Sequence, residues 1–213
     1  MISPNGESET GAPGSTSLHA NDFYDAHASA YAGRTANAAP PPLFEDFAGM
    51  VTPGGAIIDL GCGAGRDLAR LSAAGFNCSG IDLSVALAEY AKANSGVDVA
   101  VADMRNFRSP DASLDGVIAI ASLLHLAHAE LDVQLASIAR WLKPNGLLLA
   151  TMKIGEATEH SQDGRLYSLV TLDAWLAMLA GAGLTPLARS FSAANPDVSN
   201  SPHPWISVLA RKQ

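Results

Sequence analysis

The stretch Ala56-Ile57-Ile58-Asp59-Leu60-Gly61-Cys62-Gly63-Ala64-Gly65-Arg66-Asp67 constrains this chain more than any other. Its first half is apolar and β-branched, which reads as a short buried strand. The strand carries an acid, Asp59, near its end. Gly61, Gly63 and Gly65 then alternate, which permits a tight turn with positive φ and lets the backbone approach a ligand closely. Arg66 and Asp67 open a helix whose first N–H groups and dipole attract negative groups. A strand, a glycine turn and a helix form the nucleotide corner of a doubly wound sheet. The same pattern also serves as a plain, tightly packed strand-to-helix turn, so alone it does not decide function.

Two acids sharpen the reading. Asp82, in Gly80-Ile81-Asp82-Leu83-Ser84, falls 17 residues past Gly65 at the end of a second strand. An acid at about that spacing is placed to accept ribose hydroxyls. Asp59 puts a negative charge at the end of the first strand, where a pyrophosphate would be repelled and a cationic ligand favoured.

These residues carry a resemblance. IIDLGCGAGRD and GIDLS, followed by Ala102-Asp103-Met104, Leu114-Asp115-Gly116-Val117, Ser122-Leu123-Leu124-His125 and Ala139-Arg140-Trp141-Leu142-Lys143-Pro144-Asn145-Gly146, resemble the class I S-adenosylmethionine-dependent methyltransferases. The resemblance covers roughly residues 20 to 213. It implies a Rossmann-like seven-stranded sheet, mostly parallel with an antiparallel last strand and helices on both faces. It also implies S-adenosyl-L-methionine as cofactor. The residues it assigns to the cofactor are Tyr31, Arg34, Asp59, Gly61, Cys62, Gly63, Arg66, Asp82, Leu83, Asp103, Met104, Ala121 and Ser122. Asp103 and Met104 suit adenine, since a carboxylate accepts from the exocyclic amine and a thioether packs on the ring face. Their plain alternative is a solvated loop acid beside a core methionine.

Composition narrows the class. The 213 residues are enough for one domain, and 48% hydrophobic with 16% charged content suits a packed core. A net charge of -8 speaks against a nucleic-acid surface. No apolar run is long enough to span a bilayer. The first 33 residues hold no Lys or Arg, so neither a signal nor a transit peptide fits. Cys62 and Cys78 suggest no disulfide framework, and both read as reduced cysteines of a cytoplasmic protein.

Along the chain, residues 1–19 are rich in Ser, Gly, Pro and Thr and are expected to be disordered. A single domain is expected over 20–213, with 20–50 as a helical segment over the cofactor site. Phe23, Tyr24, His27 and Tyr31 have helical spacing, predicting a helix from Asn21 to Gly33. Pro40-Pro41-Pro42 should open a second helix reaching Met50. Helices are expected over 67–74, over 85–94 with Ser84 as cap, up to Leu142, and from Thr171 to Gly181 or Gly183. Further strands are expected over 76–81, 97–101, 115–121 and 147–153. Leu184–Phe191 and Trp205–Ala210 should form a terminal antiparallel pair. The loop from Ile154 to Val170 should lid the pocket. Its Glu156, Glu159, His160, Asp163 and Arg165 either choose the substrate or are solvated.

Methyl transfer needs alignment and exclusion of water, with a base only when the nucleophile arrives protonated. His125, at the end of the fourth strand, is the candidate base; its alternative is a histidine that merely lines the cofactor site. Tyr24 and Tyr167 are weaker candidates. No Asn-Pro-Pro-Tyr-like element and no Pro-Cys nucleophile is present, which counts against DNA methylation. His125 and His128 lack a third ligand of metal spacing, so no metal is expected. The reading is a methyltransferase acting on a small molecule, as a monomer or homodimer, with no nucleic-acid or membrane partner. The alternatives are a non-catalytic S-adenosylmethionine-binding domain and an NAD-dependent oxidoreductase.

Overall fold

The computed structural model describes residues 15–161, 164–193 and 203–213, with side chains from Asn21 onward. Three short helices lead the chain: α1 (Ser15–Ala26), α2 (Ala28–Thr35) and α3 (Phe44–Met50). Strands and helices then alternate as β1 (Ala56–Leu60), α4 (Arg66–Ala73), β2 (Asn77–Asp82), α5 (Val85–Ser95), β3 (Asp98–Val101), β4 (Leu114–Ala119), α6 (His128–Trp141) and β5 (Leu142–Lys153). A small antiparallel pair, β6 (Thr158–His160) and β7 (Leu166–Ser168), precedes α7 (Leu172–Gly181), β8 (Leu184–Ser192) and β9 (Trp205–Lys212).

The main sheet has seven strands in the order β3-β2-β1-β4-β5-β9-β8. Strands β3 to β5 run parallel, and β9 runs antiparallel between β5 and β8. The chain winds outward through β2 and β3 and then returns to β4. Strand order therefore reverses between β1 and β4, where a doubly wound sheet opens a crevice for ligands. Asp59 sits in that centre, opposite Gly80 of β2 and Ile118 of β4.

β1 is buried on both faces, as parallel strands are. Ile58 and Leu60 pack with Leu131, Leu135 and Ile138 of α6 and with Trp175 of α7. Ile57, one residue out of phase, packs on the other face with Phe44 and Phe47 of α3 and Leu71 of α4. The two-residue period thus holds helices against both sides. The start of β1 is pinned electrostatically: the Ala56 N–H donates to Asp115 Oδ2 at 2.9 Å, and the Lys143 ammonium donates to the same oxygen at 2.7 Å. Side-chain caps fix helix entry. Ser84 Oγ accepts from the Leu87 N–H at 3.1 Å, and Thr171 Oγ1 from the Ala174 N–H at 3.2 Å.

Five local expectations are corrected. Helix α1 starts at Ser15, inside the segment expected to lack structure; residues 1–14 lie outside the described residues. The single helix from Asn21 breaks at His27 (φ -118, ψ 15), whose Nδ1–H donates to the Phe23 carbonyl at 2.8 Å while its ring stacks on Phe23. The second helix begins at Phe44 rather than at the prolines, because Leu43 takes a left-handed conformation (φ 69). Strand β4 stops at Ala119, since Ala121 (φ 54) turns the chain out of the sheet. β5 starts at Leu142: Leu114 pairs with Leu142 and Gly116 with Leu147, so the expected Lys143–Gly146 turn is an irregularity within the strand. The expected lid is also partly ordered, as β6 and β7.

Gly65 shows what the glycine turn needs mechanically. It has φ +78, and a Cβ there would lie 2.7 Å from the Ala91 Cα of α5. Gly65→Ala should therefore destabilise the chain by roughly 2–5 kcal/mol, the sum of left-handed strain and overpacking. A urea-unfolding midpoint that stays at the wild-type value would contradict this close packing.

Candidate active site

A cleft opens at the carboxyl ends of β1, β2 and β4, in two compartments that share Tyr24, Tyr31, Gly61, Gly63, Ile120, Ala121 and His125. They hold about 770 and 1190 Å³ of empty space, open mouths included. All thirteen residues assigned to the cofactor by sequence line one or both, as does His125. Gly61, Asp82, Leu83, Asp103, Met104 and Ser122 line the inner compartment. Arg34, Asp59, Cys62 and Arg66 line the outer one.

The inner compartment is built around the Asp82 carboxylate. Its Oδ2 accepts from the Gly63 N–H at 2.8 Å and its Oδ1 from the Ser84 N–H at 2.9 Å. Burial raises its pKa, and these backbone N–H groups act against the rise. A carboxylate has about four lone-pair positions, so two bonds leave room for hydroxyl donors. Ile81, Leu83, Leu87, Met104 and Leu126 supply an apolar wall. Asn21 Oδ1 and Ser122 Oγ are buried there without a hydrogen-bond partner among the described residues. Orphaned buried oxygens cost free energy until a ligand answers them. An adenosyl group, with ribose hydroxyls, exocyclic-amine N–H donors and a flat apolar face, fits these features.

Asp59 is 3% exposed. Burial raises its pKa well above the ordinary 3.8, and Asp67 and Asp82 push it further, against Arg66. A bound cation would reverse the penalty, so the ammonium end of S-adenosyl-L-methionine suits this side of the turn. Arg66 is itself held by Asp67, to which its Nε donates at 3.0 Å. Cys62 is buried and its thiol is pushed far up by burial first and then by Asp59, so it is a packing residue rather than a reactive one.

Gly63 lines both compartments, and on its Cβ side a side chain would meet the Tyr31 ring at 3.2 Å. Its missing side chain lets Tyr31 of α2 close over the turn. Arg34 stacks over the same ring, 5.6 Å from its centre.

His125 sits in a short 3-10 turn (Leu123–His125) between the compartments. Its Nδ1 lies 2.8 Å from the Leu166 carbonyl, which only accepts, so Nδ1 carries the proton. In the neutral ring Nε2 then offers its lone pair to the Tyr24 hydroxyl at 3.1 Å. Arg165 Nη1 donates to the same hydroxyl at 3.2 Å. Tyr167 packs on His125 with ring centres 5.3 Å apart. His128 faces the Leu169 carbonyl at 2.8 Å, and among the described residues no three His, Cys, Asp or Glu are grouped to hold a metal ion. Asp163 lies outside the described residues.

Sequence reasoning missed Arg105, Asn21 and Lys153. Arg105 clamps Asp103 through its backbone N–H and guanidinium, and also reaches Glu130 at 3.2 Å. Burial alone would raise the Asp103 pKa; the Arg105 bonds outweigh it and hold the carboxylate below its ordinary value. Its position two residues after Asp103 was the available signal. Lys153, buried in the outer compartment, read as the end of an apolar strand.

The Asp59 environment generates a prediction. A carboxyl with a raised folded-state pKa contributes stability that is present below the unfolded value and lost as pH rises through the folded one. Asp59→Asn should therefore raise the melting temperature of the ligand-free chain at pH 7, and the gain should shrink as pH falls toward 4. Thermal unfolding across that range checks it; a variant less stable than wild type at pH 7 would contradict it.

The comparisons with known proteins follow this geometry. Residues 57–146 match the model of a methyltransferase domain family. A putative methyltransferase of Bacillus subtilis, YqeM, is 35% identical over 112 residues, covering 48% of this chain and 45% of the relative. The chain spans less than half the length of the curated relatives it matches. Among solved structures, the Burkholderia thailandensis 1,6-didemethyltoxoflavin-N1-methyltransferase, with 1,6-didemethyltoxoflavin and S-adenosylhomocysteine bound, superposes with TM-score 0.77 at 20% identity over 97% of this chain and 93% of that one. The [4+2]-cyclase SpnF superposes with TM-score 0.73 at 19% identity over 92% of this chain and 96% of that one. At these identities the likeness establishes the fold alone. The matched residues 57–146 contain the glycine turn and Asp82 and resemble a methyltransferase domain, and the whole chain has the sheet order and fold of solved methyltransferases that bind S-adenosylhomocysteine.

Proposed function

We propose that this chain is a cytoplasmic S-adenosyl-L-methionine-dependent methyltransferase that acts on a small molecule. The observation that carries the reading is the pair of unlike sites joined at Gly63: a hydroxyl-accepting Asp82 in an apolar inner compartment, and the buried carboxyl of Asp59 beside the outer one. An adenosyl group that ends in a cationic amino acid answers both. S-adenosyl-L-methionine supplies an electrophilic methyl group. In this reading Asp82 would hold its ribose, Asp103 and Met104 its adenine, and Asp59 its ammonium. Tyr31, with Arg34 on its ring, would close over it and exclude water.

The acceptor would enter the outer compartment. His125, with its proton on Nδ1 and Nε2 accepting from the Tyr24 hydroxyl, would act as base through that hydroxyl: Tyr24 would pass its proton to Nε2 as it takes one from an acceptor that arrives protonated. The compartment is enclosed by α1, β7 and the end of β5, which suits a metabolite more than a polymer. A non-catalytic cofactor-binding domain would bind the cofactor yet turn nothing over. SpnF, by name a [4+2]-cyclase on the same fold, illustrates that fold alone leaves the reaction open.

Calorimetry tests the cofactor: S-adenosylhomocysteine should bind and NAD should not, and the reverse order of affinities would sink the reading. Asp82→Ala should weaken S-adenosylhomocysteine by at least roughly tenfold, through lost charge-assisted hydrogen bonds of about 1.5–3 kcal/mol each; unchanged affinity in the folded variant would remove Asp82 from the site. For His125→Ala we expect turnover to drop roughly 10²–10⁴-fold with cofactor affinity unchanged. Activity that returns at saturating cofactor would make His125 a lining residue instead.

A further inference from the structure

We propose that Lys153 anchors an anionic group on the methyl acceptor, so that the substrates are small acids: carboxylates or phosphate monoesters seated in the outer compartment. The inference deepens, and rests on, the methyltransferase reading above.

Lys153 ends β5 with 1% of its surface exposed, and it lines the outer compartment. Its Nζ is buried without a hydrogen-bond partner among the described residues. An ammonium carries three donors, and a buried charge left unanswered is among the most costly features a fold can keep. Its near company is aromatic: Nζ lies 3.7 Å from the centre of the Tyr167 ring and 5.3 Å from that of Trp205. Such faces recover part of the lost hydration but accept no N–H bond of ordinary strength. Nearby charges do not supply the missing acceptor. Arg165, stacked 4.0 Å over the Phe23 ring, acts against the ammonium. Glu159 acts in its favour, yet half of that side chain is in solvent and its Oε1 meets His203 Nε2 at 2.9 Å. Burial first and Arg165 second bring the Lys153 pKa down to about 8.

An anionic oxygen on Nζ would answer the donors, reverse the desolvation penalty and place the attached carbon skeleton between Tyr167 and Trp205. His125 lines the same compartment. An acceptor held by its acid group would therefore have its nucleophile in reach of that wall. The arrangement selects charge rather than sequence or size, and a neutral isostere would leave the amine unanswered, which is how buried polar sites discriminate.

The test uses the full chain with S-adenosylhomocysteine bound and titrates benzoate and phenyl phosphate against benzamide and benzyl alcohol. At least one anion should bind wild type ten or more times tighter than its neutral counterpart, and the tighter anion tells carboxylate from phosphate. Lys153→Met should lose at least tenfold for that anion while S-adenosylhomocysteine affinity stays within twofold. Equal binding of neutral and anionic probes, unchanged anion binding in the variant, or no anion binding to wild type each overturns the proposal. If the variant does not fold, the wild-type comparison of anion with neutral probe decides. Titration without S-adenosylhomocysteine separates the two readings: anion preference in a chain that takes no S-adenosyl ligand keeps the Lys153 site and sinks the methyltransferase reading.

Discussion

The Asp82 carboxylate, bonded at once to the Gly63 and Ser84 N–H groups, is the tie on which the cleft depends. One oxygen fixes the glycine turn after β1, and the other fixes the entry to α5. Without it the two central strand ends would carry unanswered N–H groups at the bottom of a crevice, a costly state in a buried setting. The tie also sets where Tyr31 rests, because the ring packs against Gly63. Turn, helix entry and closing segment are thus one mechanical unit built on a single acid.

Electrostatics gives the cleft its two characters. A carboxyl at Asp59 and an ammonium at Lys153 are each held in surroundings that penalise their charged forms, in a chain that carries -8 overall. Folding alone gains nothing from either, so the penalties make sense as preparation for ligands of opposite charge. The same logic covers the orphaned Asn21 Oδ1 and Ser122 Oγ. Stability traded for readiness is a common pattern at sites of function.

The parts legible in the sequence were those whose signals are local. β1 announces itself by a β-branched run, its turn by three glycines, α5 by the Ser84 cap, and the crevice acids by their spacing from that turn. The doubly wound class of the sheet followed from alternation of strands and helices. What escaped was decided by single backbone angles or by distant contacts. The helix breaks at His27, whose ring stacks on Phe23, and Leu43 delays another by a left-handed φ that no composition rule requires. Lys153 looked like the polar end of a strand; only Tyr167 and Trp205, brought back by β7 and β9, turn it into a buried amine. The packing of Tyr31 on Gly63 was not legible for the same reason, since Tyr31 lies 32 residues earlier in the chain.

A crystal structure of the chain grown with S-adenosylhomocysteine tests the central claim most directly. The account predicts adenine between Asp103 and Met104, ribose hydroxyls on Asp82, the amino group at Asp59, and the sulfur opening toward the compartment walled by His125 and Lys153. A ligand bound elsewhere, or a cleft that takes a nicotinamide dinucleotide across the glycine turn instead, would contradict it.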